Sequence, residues 1–126
     1  MSKKIVLAID DDKVQLDLFQ STLGSKYDVR VVDCASSALR YLNEDKADII
    51  LLDIGMPNIS GFEFLHDIRK IISYMDVPII IISINADYEY QIEAKKYGAF
   101  DVLAKPVRSD ALINTIEDAL AAGEQK

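Results

Sequence analysis

The stretch Ile49-Ile50-Leu51-Leu52-Asp53-Ile54-Gly55-Met56-Pro57 limits what this chain can fold into more than any other. Four large aliphatic residues follow one another without alternation and stop at a carboxylate. A run that apolar reads as a strand buried on both faces, the pattern of a central parallel strand. Gly55 and Pro57 then end the regular backbone. Asp53 is therefore expected where a central strand leaves the sheet, the rim at which open α/β sheets bind ligands. By itself, such an aspartate could equally cap or solvate a strand end.

The rest of the chain repeats the same grammar. Ile5 to Ile9 reads as a buried strand that stops at Asp10-Asp11-Asp12. Lys13 to Leu23 reads as a helix with Leu16, Phe19 and Leu23 on one face, closed by Gly24. Tyr27 to Val32 is a second strand and Ser36 to Asn43 a helix with Ala38, Leu39 and Leu42 inward. After the Asp53 strand, Gly61 to Ile72 is helical, with Phe62, Leu65, Ile68 and Ile72 at helical spacing. Val77 to Ser83 is a fourth strand, with Pro78 tolerated near its start. Ala86 to Tyr97 is a polar helix with Gly98 at its end, and Phe100 to Ala104 a short fifth strand. Ser109 to Ala122 is the last helix, with Leu112, Ile113, Ile116 and Leu120 inward and Ser109 or Asp110 as its cap. Strand then helix, five times over, predicts a doubly wound parallel sheet with helices on both faces, a three-layer α/β/α fold. Right-handed crossovers bring all strand C-termini to one edge. The whole of 1–126 reads as one domain with a frayed tail over 122–126.

That edge collects chemistry. Strand one ends at Asp10, Asp11 and Asp12, strand three at Asp53, strand four at Ser83 and strand five at Lys105 before Pro106. Crowded carboxylates oppose one another's ionisation, and a hard divalent cation such as Mg²⁺ relieves that conflict. A Mg²⁺ site, an ammonium and a hydroxyl around a carboxylate suit phosphoryl transfer, with Asp53 as the nucleophile that becomes an aspartyl phosphate. Asp12 is better read as the N-cap of the first helix than as a ligand.

Composition narrows the partners. The net charge of −7 and pI near 4.6 speak against direct nucleic-acid binding, which needs clustered Lys and Arg. No apolar run is long enough to span a membrane, and the apolar stretch after Met1-Ser2-Lys3-Lys4 is too short for a signal peptide. Cys34 is the single cysteine and reads as a buried, inert thiol. These features predict a cytoplasmic protein.

Taken together, Ile9-Asp10-Asp11-Asp12, Leu52-Asp53-Ile54-Gly55-Met56-Pro57 with Gly61, Ser83, and Lys105-Pro106 resemble the receiver (response-regulator, CheY-like) domain of two-component signalling. The resemblance spans nearly the whole chain. It implies a flavodoxin-like sheet of order 2-1-3-4-5 with five helices. It also implies that Asp53 takes a phosphoryl group from a sensor histidine kinase or histidine phosphotransfer protein. By the same resemblance, Asp11 binds Mg²⁺ directly, Asp10 binds it through water, and Asp53 and the Gly55 carbonyl complete the ligands. Ser83 and Lys105 hold phosphate oxygens. The face made by helix four, strand five and helix five meets a downstream protein or a second copy on phosphorylation.

Two positions depart from the family pattern. Ile84 follows the hydroxyl residue where a small side chain is usual, which predicts obstructed access to Asp53. Val102 stands where an aromatic is frequent, which leaves the usual ring switch without its ring. Tyr88, Tyr90 and Tyr97 fall on the fourth helix as core-edge packing or partner surface, and His66 reads as a solvated residue. Rival functions are weaker. A Mg²⁺-dependent phosphohydrolase with an aspartyl nucleophile often carries a second acid two residues on, where this chain has Gly55. A nucleotide- or flavin-binding domain wants a glycine loop where this chain has three aspartates. A phosphorylation-independent scaffold of the same fold has no need of the complete acid set.

Overall fold

The computed structural model describes residues 3–55, 61–71 and 76–124. Met56, Pro57 and Ile72 lie outside them. The elements are β1 (Ile5–Ile9), α1 (Lys13–Leu23), β2 (Asp28–Val32), α2 (Ala35–Glu44), β3 (Ile49–Asp53), α3 (Gly61–Arg69), β4 (Ile79–Ser83), α4 (Tyr88–Lys96), β5 (Asp101–Ala104) and α5 (Ser109–Glu124). The strands form one parallel sheet in the order β2-β1-β3-β4-β5.

The sheet divides the core by strand parity, because successive side chains point to opposite faces. Ile5, Leu7, Ile9, Ile50, Leu52, Ile79 and Ile81 pack with Ala38 and Leu42 of α2, Phe64, Leu65 and Ile68 of α3, and Ala94 of α4. Val6, Ala8, Ile49, Leu51, Ile80 and Ile82 pack with Leu16, Phe19 and Leu23 of α1 and Leu112, Ile116 and Ala119 of α5. All of β1, β3 and β4 is buried, as their unbroken apolar runs predict. Each such Ile or Leu contributes about 1.5–3 kcal/mol on burial, so a register slip that moved them is strongly opposed. Register is what brings the strand ends level.

Element boundaries differ from the sequence reading by a few residues, for local reasons. Tyr27 donates its N–H back to Leu23 O at 2.8 Å, so β2 begins one residue later. Pro78 has no N–H to give the ladder. Its carbonyl accepts from Ile50 N at 3.0 Å, and β4 proper starts at Ile79. Asp87 caps α4 by accepting from Tyr90 N at 2.8 Å, which moves the helix start from Ala86 to Tyr88. α5 begins at Ser109 itself and runs on through Gly123 to Glu124, beyond the expected end at Ala122 and into the expected frayed tail. Gly98, after α4, has φ +102°, a conformation that favours glycine. Among the described residues, no helix is long and apolar enough to cross a membrane.

Candidate functional site

The C-terminal ends of β1, β3, β4 and β5 meet at one rim. Asp10 follows β1, with its N–H bonded to Val32 O at 3.1 Å, and its side chain is completely buried. Asp10 Oδ1 accepts from Asp12 N at 2.9 Å, while Oδ2 is buried with no hydrogen-bond partner among the described residues. Asp53 ends β3, next to Ile82 in the β3–β4 register, and is 3% exposed. Its Oδ1 accepts two hydrogen bonds, from Gly55 N at 3.0 Å and from Lys105 Nζ at 2.9 Å. Ser83 ends β4 and is buried, its Oγ accepting from Asn85 N at 3.1 Å. Lys105 follows β5 with its N–H on Ser83 O at 2.9 Å, and its peptide bond to Pro106 is cis. Asp11 is exposed, at the open side of the group.

Electrostatics set the character of the cluster. Burial, with Asp53 close by, raises the Asp10 carboxyl to about 6, although the Asp12 N–H and the Lys105 ammonium pull the other way. Burial draws the Lys105 ammonium down, but its hydrogen bond to Asp53 and the charges of Asp53, Asp10 and Asp11 outweigh that and leave it raised. Carboxylate oxygens of Asp10, Asp11 and Asp53 lie within 4.8 Å of one another. A buried carboxylate oxygen without a donor is costly, and an all-oxygen donor set suits a hard cation. These three aspartates thus fit a metal site.

The rim brings together Asp10, Asp11, Asp53, Ser83 and Lys105, as the strand-end reading predicts. Asp12 stands apart as the N-cap of α1, accepting from Val14 N at 3.0 Å. His66 is exposed on α3. Gly61 earns its place beside the site. A Cβ there would fall 1.9 Å from Ile54 Cδ1, so only glycine lets α3 start against the residue after Asp53.

Two expectations need correction. Ile84 is 85% exposed, so its side chain projects into solvent instead of packing over Asp53. What lies over Asp53 is the Lys105 ammonium. Cys34 is half-buried, not sequestered: it is the N-cap residue of α2, with Sγ 3.4 Å from Ser36 Oγ and 3.2 Å from Ser37 Oγ. Those hydroxyls lower its thiol pKa.

Val102 is buried opposite Ile81, with no aromatic ring at that point of β5. Tyr88 on α4 is 77% exposed, whereas Tyr90 on α4 and Tyr97 at its C-cap, the latter 44% exposed, each set a ring against Phe62 of α3. The sequence points to the loop after Ser83 and the start of the fourth helix, near Asn85 to Tyr90, as the segment that responds to the site, but gives the Tyr90 hydroxyl no role of its own. The nearest signal was the missing ring at Val102.

Comparison with known proteins agrees with the geometry. Residues 6–117 match the family model for the response regulator receiver domain. The chain is 38% identical over 112 residues to the two-component response regulator ARR10 of Arabidopsis thaliana, covering 86% of this chain and 20% of that protein. Among solved structures, the receiver domain of the Francisella response regulator 1452 superposes with a TM-score of 0.86 at 30% identity, covering 95% of this chain and 98% of that one. A CheY-like receiver domain protein from Methanospirillum hungatei does so with a TM-score of 0.89 at 26% identity, covering 98% of each. The chain belongs to the response regulator receiver family, whose members are signalling phosphoacceptors rather than catalysts. It spans only about a fifth of the length of the curated relatives ARR10 and ARR12.

Proposed function

We propose that Asp53 is the phosphoacceptor of this receiver and that a sensor histidine kinase or histidine phosphotransfer protein is the donor. The observation that carries this is the pairing of Asp53 with Lys105 inside the Asp10–Asp11–Asp53 cluster. A carboxylate oxygen of Asp53 attacks phosphorus, the P–N bond to the donor imidazole breaks, and its electron pair leaves with the imidazole, which takes a proton. Lys105, hydrogen-bonded to Asp53 Oδ1, orients that carboxylate, then follows the charge to a phosphoryl oxygen. Ser83 donates its hydroxyl to another phosphoryl oxygen. Asp10, Asp11, Asp53 and the Gly55 carbonyl would hold Mg²⁺, which would neutralise charge on the transferring group.

The product adds negative charge and strong acceptor oxygens at the rim. The output is a change in protein–protein contacts through the α4–β5–α5 face, toward a downstream protein or a second copy of the chain. The free thiol of Cys34 accords with a reducing, cytoplasmic setting.

The test is acid-labile, hydroxylamine-sensitive labelling by a phosphodonor with Mg²⁺, comparing wild type with Asp53→Asn. The amide has nearly the same shape but no nucleophilic carboxylate, so labelling is expected to vanish. Full labelling of Asp53→Asn would move the acceptor elsewhere.

A further inference from the structure

Ser83 follows Ile79 and Ile81 on one face of β4, the face that α2, α3 and α4 cover. Its hydroxyl therefore stands between the Asp53 rim and α4. On β5, the residue facing the same layer is Val102, which has no polar atom to offer. The polar atom comes from the helix instead. Tyr90 packs against the same cluster, with its ring 5.3 Å from Phe62 at 34°. Its hydroxyl oxygen is buried with no hydrogen-bond partner among the described residues. That hydroxyl is thus buried in the layer toward which Ser83 points; burial raises its pKa, the Ser83 hydroxyl draws it down, and Glu93 and Asp53 add to the rise. A buried, unmade hydroxyl is costly, which favours any state that gives it a partner.

We infer that Tyr90 couples the Asp53 site to α4, its buried hydroxyl donating to Ser83 Oγ when Ser83 turns to a phosphoryl oxygen on Asp53. This rests on the phosphoacceptor reading above. Donor counting supports it. Ser83 Oγ has one hydrogen and two lone pairs. The Asn85 N–H takes one lone pair at 3.1 Å. With the serine hydrogen given to the phosphoryl group, the second lone pair is free for the Tyr90 O–H. Successive donors of this kind strengthen one another in a buried setting.

The consequence reaches the surface. Tyr90 sits in the first turn of α4, between the exposed Tyr88 and Ile92. Phe62 also stacks on Tyr97, with 4.9 Å between centroids and 3° between planes. A bond from Tyr90 to Ser83 thus repositions the start of α4 and passes through Phe62 to its end. Tyr90 acts on the partner-facing side chains by position and touches no reacting atom.

The experiment compares wild type, Tyr90→Phe and Ser83→Ala with Mg²⁺ and beryllofluoride, a phosphoryl mimic. Tyr90→Phe keeps the ring on Phe62, and its urea midpoint checks that it folds. Labelling of Asp53 by acetyl phosphate is expected to stay within about twofold of wild type. The beryllofluoride concentration for half-saturation should rise about fivefold, the worth of one net hydrogen bond. The amide-exchange protection that beryllofluoride induces over 85–92 should fall by more than half. The Tyr90 ¹³Cζ resonance, which reports hydroxyl bonding, should shift with beryllofluoride in wild type and stay still in Ser83→Ala saturated with the mimic. Unchanged half-saturation and protection in Tyr90→Phe, or an equal Cζ shift in Ser83→Ala, would overturn the coupling while leaving the phosphoacceptor role intact. Absence of Asp53 labelling in the wild type would instead remove the phosphoacceptor reading, and the coupling with it.

Discussion

Lys105 Nζ lies 2.9 Å from Asp53 Oδ1, the same oxygen that accepts the Gly55 N–H. The two residues leave strands that are not neighbours, so the lysine side chain reaches across the end of β4 to make the pair. Asp53 is nearly fully buried and Lys105 about three-quarters so. An ionised carboxylate at that depth needs a cation, and removing one partner strands the other. The pair therefore holds the rim together before any phosphoryl group arrives.

Lys105→Ala is expected to destabilise the metal-free protein by about 1–2 kcal/mol, between the values for exposed and fully buried pairs. Mg²⁺ should recover much of that loss by replacing the missing positive charge. Labelling of Asp53 should persist at a reduced rate. Urea unfolding of the variant with and without Mg²⁺ measures both effects, and a variant as stable as wild type without metal would show that the pair contributes nothing.

Asp10 gives a pH dependence with a definite sign. Its folded pKa is about 6, against about 4 for an ordinary carboxyl group. Between those values, the native state keeps a proton that the unfolded chain has released. This contribution to stability therefore falls as pH rises from about 4 to about 6 and is gone above that. Relative to Asp10→Asn, metal-free wild type should lose up to about 2–3 kcal/mol across that interval. Parallel stability–pH curves for the two proteins in EDTA would contradict it.

The same proton competes with Mg²⁺. Binding to the native state raises apparent stability by mass action. Wild type should gain more in melting temperature from millimolar Mg²⁺ at pH 7 than at pH 5, and Asp11→Ala should lose most of the gain at both. A melting temperature indifferent to Mg²⁺ would count against the metal site.

Ile84 reverses the expectation drawn from its position. With its side chain in solvent, Ile84→Ala should change the rates of labelling by acetyl phosphate and of phosphoryl decay by less than about twofold, below the effect of a misplaced reacting group. A tenfold acceleration of either step would return Ile84 to the path of the donor.

Gly61 tests the link between α3 and the end of β3. Both arms of Ile54, a stiff β-branched residue, lie within 3.0 Å of where a Cβ would stand. Gly61→Ala should cost about 1–3 kcal/mol through overpacking, despite the higher helix propensity of alanine. Chemical denaturation measures it, and a stabilised variant would mean that Ile54 yields freely.

Much of this protein is legible without coordinates, because its strands state their burial in unbroken runs and its helices in their spacing. Ile49 to Leu52 can satisfy that pattern only between two covered faces, and strand-helix alternation then delivers Asp10, Asp53, Ser83 and Lys105 to one edge. Such periodicity is a property of the chain taken a few residues at a time. Where a side chain goes once it leaves a strand is a different matter. Among the described residues, Asp10 is buried with one oxygen unmet, Lys105 crosses β4 to reach Asp53, Ile84 turns outward, Cys34 stays half-open at a helix start, and Tyr90 buries its hydroxyl without a partner. Each of these depends on loop dihedrals and on residues far away in sequence, so only the packed tertiary structure decides it.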